Sequence, residues 1–138
     1  MESTRLPGKA LFEICSKTII QIMVERMKSS KKLDRIIIAT STNKKDNLIE
    51  KFCRENDIEC YRGHEENLIA RYKKISDLIG TNVIAKFGAD SPLIDPKVID
   101  EVIDIYLNND YDYVSNYWPP PKTYPEGTGL DVYSAKTL

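Results

Sequence analysis

The chain has 138 residues, 20 of them basic and 21 acidic, and its net charge is -1 with the single histidine neutral. This length favours one domain over two, and the balanced charge predicts neither a polycationic face for nucleic acid nor an acidic tail. No apolar run approaches the roughly 20 residues that span a bilayer, and no signal-peptide segment opens the chain, so we expect a cytoplasmic protein.

The first half of the chain reads as helix, strand, helix, strand. Apolar residues recur at helical spacing from Thr18 to Lys28, and the β-branched run from Ile36 to Thr40 is apolar on both faces, as a buried parallel strand is. Glu59 to Arg62 forms the second predicted strand. The apolar face of the helix between the two strands comprises Leu48, Ile49, Phe52 and Cys53.

The second half continues the alternation. A helix with a predicted core stripe precedes the strand Val83 to Phe87, and Asp95 followed by Pro96 is typical of a helix N-cap with proline at the first helical position. Strands are predicted at 112–117 and 130–133, with a proline-rich loop at 118–129 between them. The two helical stripes are Leu68, Tyr72, Ile75 and Ile79, and then Val98, Ile99, Val102, Ile103 and Tyr106.

Cysteine and histidine usage indicates no disulfide or zinc framework. Cys15, Cys53 and Cys60 are odd in number and contain no CxxC pair, which favours reduced thiols. His64 lies in a polar turn without a second histidine to share a metal, so we interpret it as a surface residue.

Alternating strands and helices predict an α/β fold with right-handed crossovers and a mostly parallel, three-layered sheet. Such sheets bind ligands at the carboxyl ends of their strands. Four polar stretches therefore share one predicted edge: Ser41-Thr42, Arg62-Gly63, Gly88 to Asp90, and Asn116.

The segment from Ser3 to Lys9 has the composition of a polyphosphate-binding loop. Pro7 and Gly8 turn the backbone so that free N–H groups can converge on oxyanions, while Arg5 and Lys9 supply positive charge. The alternative is a short basic turn that is merely solvated. Such a loop usually follows a strand, and none precedes it, so the predicted sheet lacks an element near its centre.

Several motifs together resemble the cytidylyltransferases that activate acidic sugars, and within them the branch of spore coat polysaccharide biosynthesis protein F. The family opens with a strand and then Ala-Arg-Met-x-Ser-x-Arg-Leu-Pro-Gly-Lys, and this chain matches from Met1 to Lys9. The resemblance runs to about Ser134. The further matches are Ala39 to Thr42, Tyr61 to Gly63 with Asn67-Leu68 and Arg71-Tyr72, Asp90 to Asp95, and Asp112 to Asn116.

The resemblance also implies a partial domain. The opening strand and the first loop arginine are absent, and family members continue past residue 138 into a region that helps to hold the sugar and often forms a homodimer. We therefore expect a Rossmann-like nucleotidyltransferase fold, similar to that of sugar-nucleotide transferases, that lacks its first strand and is marginally stable. Ala89 occupies the position, just before the implied metal-binding aspartate, at which many members of the family have glycine. Gly88 replaces a nucleotide-contacting glutamine of the enzymes acting on sialic acid or ketodeoxyoctonate, which argues against either substrate.

The resemblance implies roles for individual residues. Arg5 and Lys9 would hold the phosphates of CTP, with Ser3, Pro7, Gly8 and Gly88 also contacting the nucleotide, and Asp90 would bind Mg²⁺. Asp131 would be a second metal ligand or a sugar ligand, or else an exposed carboxylate, and Asn116 would contact the sugar. Arg62 would reach the base or ribose, or else be solvated. Asp95 is explained by its capping role.

The activity that the resemblance implies is transfer of CMP from CTP to an acidic or nonulosonic sugar, with release of pyrophosphate, for surface polysaccharide biosynthesis. One alternative is an inactive nucleotide-binding or scaffolding remnant. Another is a nucleotidyltransferase that uses a different base or acceptor, or a glycosyltransferase. The Arg5 to Lys9 loop argues against a glycosyltransferase, because those enzymes have less need to bind a free triphosphate. Four aromatic residues could form a sugar-stacking wall, a protein contact or the closed edge of the sheet: Tyr111, Tyr113, Tyr117 and Trp118.

Overall fold

The computed structural model describes residues 8–120 and 124–138. The strands are β1 (Glu13–Ile14), β2 (Lys17–Thr18), β3 (Ile37–Ser41), β4 (Glu59–Gly63), β5 (Val83–Phe87), β6 (Tyr113–Ser115) and β7 (Leu130–Ser134). The α-helices are α1 (Ile19–Met27), α2 (Asn47–Glu55), α3 (Leu68–Ile79) and α4 (Pro96–Leu107). Two short 3-10 helices cover Lys9–Leu11 and Lys44–Asp46.

The larger strands form two separate hydrogen-bonded groups. β3 pairs with β4 in parallel, and β7 lies between β5 and β6, antiparallel to both. β5 and β6 therefore run in the same direction, and β7 is reversed. Ser41 at the end of β3 and Ala89 just after β5 line one cavity, which places the carboxyl ends of these strands on the same side. The α/β alternation with mostly parallel strands is confirmed.

The helices begin at the capping residues that the sequence indicates. Asp95 accepts a hydrogen bond from the Lys97 backbone N–H at 2.8 Å, and Pro96 occupies the first turn of α4. Thr18 caps α1 in the same way through Gln21, at 3.2 Å. α3 ends at Gly80, whose φ of 70° is the left-handed conformation that glycine adopts without steric cost.

Two apolar clusters form the core, and α1 contributes to both. Met27 packs in the cluster of α4 and β7, whereas Ile20 and Val24 pack in the cluster of α2 and β3–β4. The fully buried members of the two clusters are Ile94, Ile99, Val102, Leu130, Val132, Ile20 and Cys53. The predicted stripe of α4 supplies the first cluster, so that prediction is confirmed.

The prediction that Leu48 and Leu68 lie in the core is wrong. Leu48 is 58% exposed, because α2 turns Ile49 and Cys53 inward and leaves Leu48 beside that face. Leu68 is 48% exposed because it is the first residue of α3 and lines an open cavity. The remaining stripe of α3, Tyr72, Ile75 and Ile79, is only half-buried.

A small hairpin, β1–β2, is the element that the sequence did not predict. Cys15 and Ser16 form its turn with φ values of 51° and 65°. Positive φ at both central residues is the signature of a two-residue hairpin turn, which usually contains asparagine or glycine. Because neither residue is present here, the turn has no compositional signal.

The described residues include no helix long and apolar enough to cross a bilayer. Cys15 is exposed, Cys53 buried and Cys60 half-buried, and all three are free thiols.

Candidate functional site

A lysine and an aspartate that lie 81 positions apart meet at the carboxyl edge of the strands. Lys9 donates a hydrogen bond from Nζ to Asp90 Oδ2, and the two side chains are 32% and 50% exposed. Gly8 adopts φ 75°, and the Leu11 N–H donates to the Gly8 carbonyl at 2.9 Å, so a tight turn sets the direction of Lys9. The structure thus brings together two residues that the sequence singles out.

The backbone at Gly88 makes room for the Asp90 carboxylate. A Cβ atom added to Gly88 would lie 2.8 Å from Asp90 Oδ1, closer than real Cβ contacts allow. Asp90 itself lies in the loop that leaves β5, and the Ile94 N–H closes this loop onto the Ser91 carbonyl at 3.2 Å. The absence of a side chain at position 88 is therefore part of how Asp90 is placed.

The Lys9–Asp90 pair lies between two cavities. Lys9 lines one of about 300 Å³ together with Gly8 and residues that follow β3, including Ser41 and Asp46. Asp90 lines another of about 220 Å³, with Gly88 and Asn116. A ligand that spanned both cavities would pass the ammonium group and the carboxylate in turn.

Asp46 forms a buried anchor in the wall of the first cavity. Its Oδ2 accepts hydrogen bonds from Thr40 Oγ1 at 2.7 Å, Ser41 Oγ at 2.6 Å and the Ser41 N–H at 3.0 Å. Burial would raise the pKa of this carboxyl, but the hydrogen bonds outweigh burial and hold the pKa well below its usual range. Asp46 therefore remains ionised and fixes the loop after β3.

Arg62 is turned toward the protein instead of either cavity. Its Nε donates to the Ser41 carbonyl at 2.9 Å and Nη2 to the Asn43 carbonyl at 2.8 Å. Nη1 donates to Glu50 Oε2 at 2.9 Å. In this arrangement Arg62 supports the loop after β3.

Asp131 is the centre of a network that joins β5, β6 and β7. Lys86 lies directly opposite it in the β5–β7 ladder and donates to Oδ2 at 3.0 Å. Tyr117 Oη donates to the same oxygen at 2.8 Å, and Tyr113 Oη donates to Oδ1. Asp131 is 5% exposed, so the alternative of an exposed carboxylate is wrong.

Charge and burial compete within this network. Burial would raise the pKa of the Asp131 carboxyl, but hydrogen bonds from Tyr113, Lys86 and Tyr117 outweigh it and lower the pKa. Burial would lower the pKa of Lys86, and the interaction with Asp131 raises it instead. Burial and the hydrogen bond to Asp131 both raise the pKa of each tyrosine. At neutral pH the network is thus an ion pair with two protonated phenols.

Asn116 shapes the second cavity through the loop before β7. Its Oδ1 accepts from the Leu130 N–H at 2.9 Å, and its Nδ2 donates to the Thr128 carbonyl at 3.0 Å. The ring of Tyr117 packs on Gly129, where an added Cβ would come within 2.8 Å of the ring. These contacts hold Tyr117 at the cavity wall.

The four aromatic residues do not form one wall. Tyr113 and Tyr117 bind Asp131, and the Tyr113 ring also stacks on Tyr133 with centroids 6.3 Å apart. Tyr111 and Trp118 are exposed.

Three predicted nucleotide ligands, Ser3, Arg5 and Pro7, lie outside the described residues. The described part of the chain contains no group of three or more histidine, cysteine, aspartate or glutamate side chains that could hold a metal.

Sequence reasoning missed Asp46 and Lys86. Asp46 follows a strand end by five residues, which is a usable signal for a loop anchor. Lys86 is in the middle of an apolar strand, and a charged residue at such a position indicates a buried partner. The identity of that partner depends on the pairing of β5 with β7, which no local pattern reveals.

Comparison with known proteins is consistent with this arrangement. The sequence profile of the family described as cytidylyltransferase matches residues 1–121. The chain is 34% identical over 122 residues to the spore coat polysaccharide biosynthesis protein SpsF of Bacillus subtilis, covering 84% of this chain and 51% of SpsF. It is 32% identical over 101 residues to the 3-deoxy-manno-octulosonate cytidylyltransferase of Geobacter sulfurreducens, covering 73% of this chain and 40% of that enzyme.

A solved structure extends the similarity to three dimensions. The cytidylyltransferase from Leptospira borgpetersenii serovar Hardjo-bovis superposes with a TM-score of 0.90 at 28% identity, covering 98% of this chain and 57% of that one. The chain spans about half the length of the relatives it matches. From the profile match and the shared nucleotidyltransferase fold, the chain belongs to the cytidylyltransferase family.

Proposed function

We propose that this domain takes part in the transfer of CMP from CTP to an acidic or nonulosonic sugar, with release of pyrophosphate, in the biosynthesis of a surface polysaccharide. The observation that carries the proposal is the Lys9–Asp90 contact between two cavities at the carboxyl edge of the strands. Family membership supports an enzyme of this kind. The relatives named above support a sugar substrate.

The first cavity suits the nucleotide, because Gly8 and Lys9 of the predicted phosphate loop line it. The ammonium group of Lys9 would neutralise the triphosphate tail, together with Arg5, while Ser3, Pro7 and Gly8 would supply hydroxyl and backbone contacts. Asp46 and Arg62 would act as positioning residues, because both fix the loop after β3. In the reaction, a sugar hydroxyl attacks the α-phosphorus, the bond to the β-phosphate breaks, and the hydroxyl proton is released.

Asp90 fits a magnesium ion that completes its coordination with substrate phosphates. Mg²⁺ is usually bound by one or two carboxylates plus phosphate oxygens and water, and Asp90 is a half-exposed carboxylate facing a cavity. When bound, the ion would supply charge neutralisation of the phosphates. Asp131 is a poor second ligand because protein donors occupy both its oxygens.

The second cavity suits the sugar. Its wall combines the Asn116–Thr128 contact with the Tyr117 ring, and hydroxyl-rich ligands require this mixture of polar groups and apolar surface. Asp131 would position Tyr117 through the hydrogen bond between them, and Lys86 would hold Asp131 in place.

Pyrophosphate release tests the proposal. We expect release from CTP and Mg²⁺ only when a sugar from a panel of acidic and nonulosonic sugars is added, and we expect UTP, GTP and ATP to compete poorly with CTP. A Lys9→Met variant should reduce release, whereas Lys97→Met, in the first turn of α4, is the matched control. Tight CTP binding without release for any sugar would favour an inactive nucleotide-binding remnant. Absence of both binding and release would contradict the proposal.

A further inference from the structure

Arg71, in the first turn of α3, is a buried cation that has no role in the proposed chemistry so far. It is 7% exposed, although arginine is almost never buried to this degree unless its charge is paired. The hydrogen bonds that it makes to the described residues all end on backbone carbonyls. Nε and Nη2 donate to His64 at 3.2 and 2.6 Å, Nη2 also donates to Glu65 at 3.0 Å, and Nη1 donates to Ala39 at 3.3 Å. The guanidinium therefore joins β3, the segment after β4 and α3.

This arrangement requires a guanidinium group. Arginine presents its donors in a rigid planar fork, whereas lysine has one nitrogen, which cannot reach the carbonyls of His64, Glu65 and Ala39 together. Gly63, at the end of β4, leaves the space that the Arg71 stem occupies. A Cβ atom added to Gly63 would lie 2.9 Å from Arg71 Cγ and from the Tyr61 ring.

The segment that Arg71 fixes belongs to the wall of the first cavity. Glu65, Leu68 and Arg71 line this cavity together with Lys9. Asn43 Nδ2 donates a hydrogen bond to Glu65 Oε1, so the loop after β3 and the segment after β4 meet at the same wall. A shift of the backbone at residues 64–65 would therefore change the shape of the cavity on both sides of this contact.

We propose that Arg71 is a positioning residue for the nucleotide, because it holds the backbone of residues 64–65 against β3 and so keeps the first cavity in the shape that receives CTP. This inference rests on the proposed function, which places CTP in that cavity. Lys9 and Asp90 would bind the phosphates and Mg²⁺, whereas Arg71 acts through the wall formed by the segment after β4. Its loss should weaken nucleotide binding without removing the gain from Mg²⁺.

Two variants disturb this arrangement in different ways. Arg71→Lys keeps the positive charge but cannot keep all the hydrogen bonds. Gly63→Ala keeps the arginine and displaces its stem, and Gly63 lies in a strand, where the backbone accepts alanine. Arg54→Lys is the matched control, because it makes the same change at an exposed position of α2. Urea unfolding shows whether each variant is folded, and Gly63→Ala alone carries the test if Arg71→Lys does not fold.

Isothermal titration and hydrogen exchange test the inference. We expect the Kd for CTP to rise about tenfold in Arg71→Lys and in Gly63→Ala, by the same factor with and without Mg²⁺. Exchange at residues 64–67 should accelerate in both variants, while α4 should exchange as in the wild type. Arg54→Lys should behave as the wild type in both measurements.

An unchanged Kd in a folded Arg71→Lys variant would overturn the inference, because the charge alone would then suffice. An unchanged Kd in Gly63→Ala would overturn it if Arg71→Lys does not fold. Loss of the Mg²⁺ gain in either variant would also overturn it, because the effect of Arg71 would then lie at the metal. Failure of the wild type to bind CTP would contradict the proposed function itself, and this inference with it.

Discussion

At the scale of single residues, the site depends on how two charges are held at one place. Lys9 is placed by the left-handed turn at Gly8, and Asp90 by the space at Gly88. Their contact neutralises both charges when no substrate is bound. Both side chains remain partly exposed, so a phosphate and a cation can compete for them with little desolvation cost.

Gly88→Ala should disturb the site while preserving the fold. The new methyl group would displace the Asp90 carboxylate, because a Cβ there lies 2.8 Å from Oδ1. We expect the Mg²⁺-dependent affinity for CTP to fall about tenfold, since one charge-assisted contact is worth roughly 1.5–3 kcal/mol. The free energy of unfolding should change by no more than about 1 kcal/mol. Calorimetric titration and urea unfolding measure both quantities, and an unchanged affinity for MgCTP would refute this role of Gly88.

At the scale of secondary-structure elements, the Asp131 network ties three strands together. Asp131→Asn would leave Lys86 partly buried without a counter-ion, and we expect it to cost about 2–3 kcal/mol of unfolding free energy at pH 7. Lys86→Met combined with Asp131→Asn should cost less than the sum of the single variants, because the lysine would no longer need a partner. Additive costs in chemical denaturation would show that the two side chains do not interact.

The same pair predicts a pH dependence. The folded protein lowers the pKa of Asp131, so its contribution to stability is complete above the ordinary aspartate pKa of about 3.9. The contribution is lost as the pH falls toward the folded value. The stability difference between the wild type and Asp131→Asn should therefore shrink from pH 7 to pH 3, as measured by denaturant unfolding. A constant difference would show that the ionised form is not what stabilises the sheet.

Sequence patterns predict the elements better than they predict pairing between elements. Helix α4 could be assigned because its cap, its proline and its apolar stripe are all local. The Lys86–Asp131 contact joins residues far apart in the chain, and only the folded arrangement reveals it. Lys9 and Asp90 are also far apart in the chain, but the resemblance assigned both to one nucleotide site, and the structure brings them into contact. The sequence does not predict the hairpin at Glu13–Thr18 because its turn contains neither asparagine nor glycine. The burial of Leu48 is predicted wrongly because helical periodicity locates the buried face of a helix only to within one residue.

At the scale of the whole molecule, the two groups of strands differ in how deeply they are buried. β7 is buried between two neighbours, whereas β3 begins with three half-buried residues and β4 begins with the exposed Glu59. We expect native-state hydrogen exchange to give a lower opening free energy for β3–β4 than for β7, because fewer contacts break on opening. Equal protection of both groups would show that the domain opens as one unit despite its divided sheet.

The central claim is that Lys9 and Asp90 together bind the triphosphate and its magnesium ion. Isothermal titration of CTP with and without Mg²⁺ tests it most directly, in the wild type, in Asp90→Asn, and in the control Asp95→Asn, which alters a helix cap outside the pair. We predict that Mg²⁺ tightens CTP binding about tenfold or more in the wild type and in Asp95→Asn. In Asp90→Asn this gain should vanish, while Mg²⁺-free CTP should bind at least as well because Lys9 loses its competing carboxylate. An undiminished gain from Mg²⁺ in Asp90→Asn would contradict the claim.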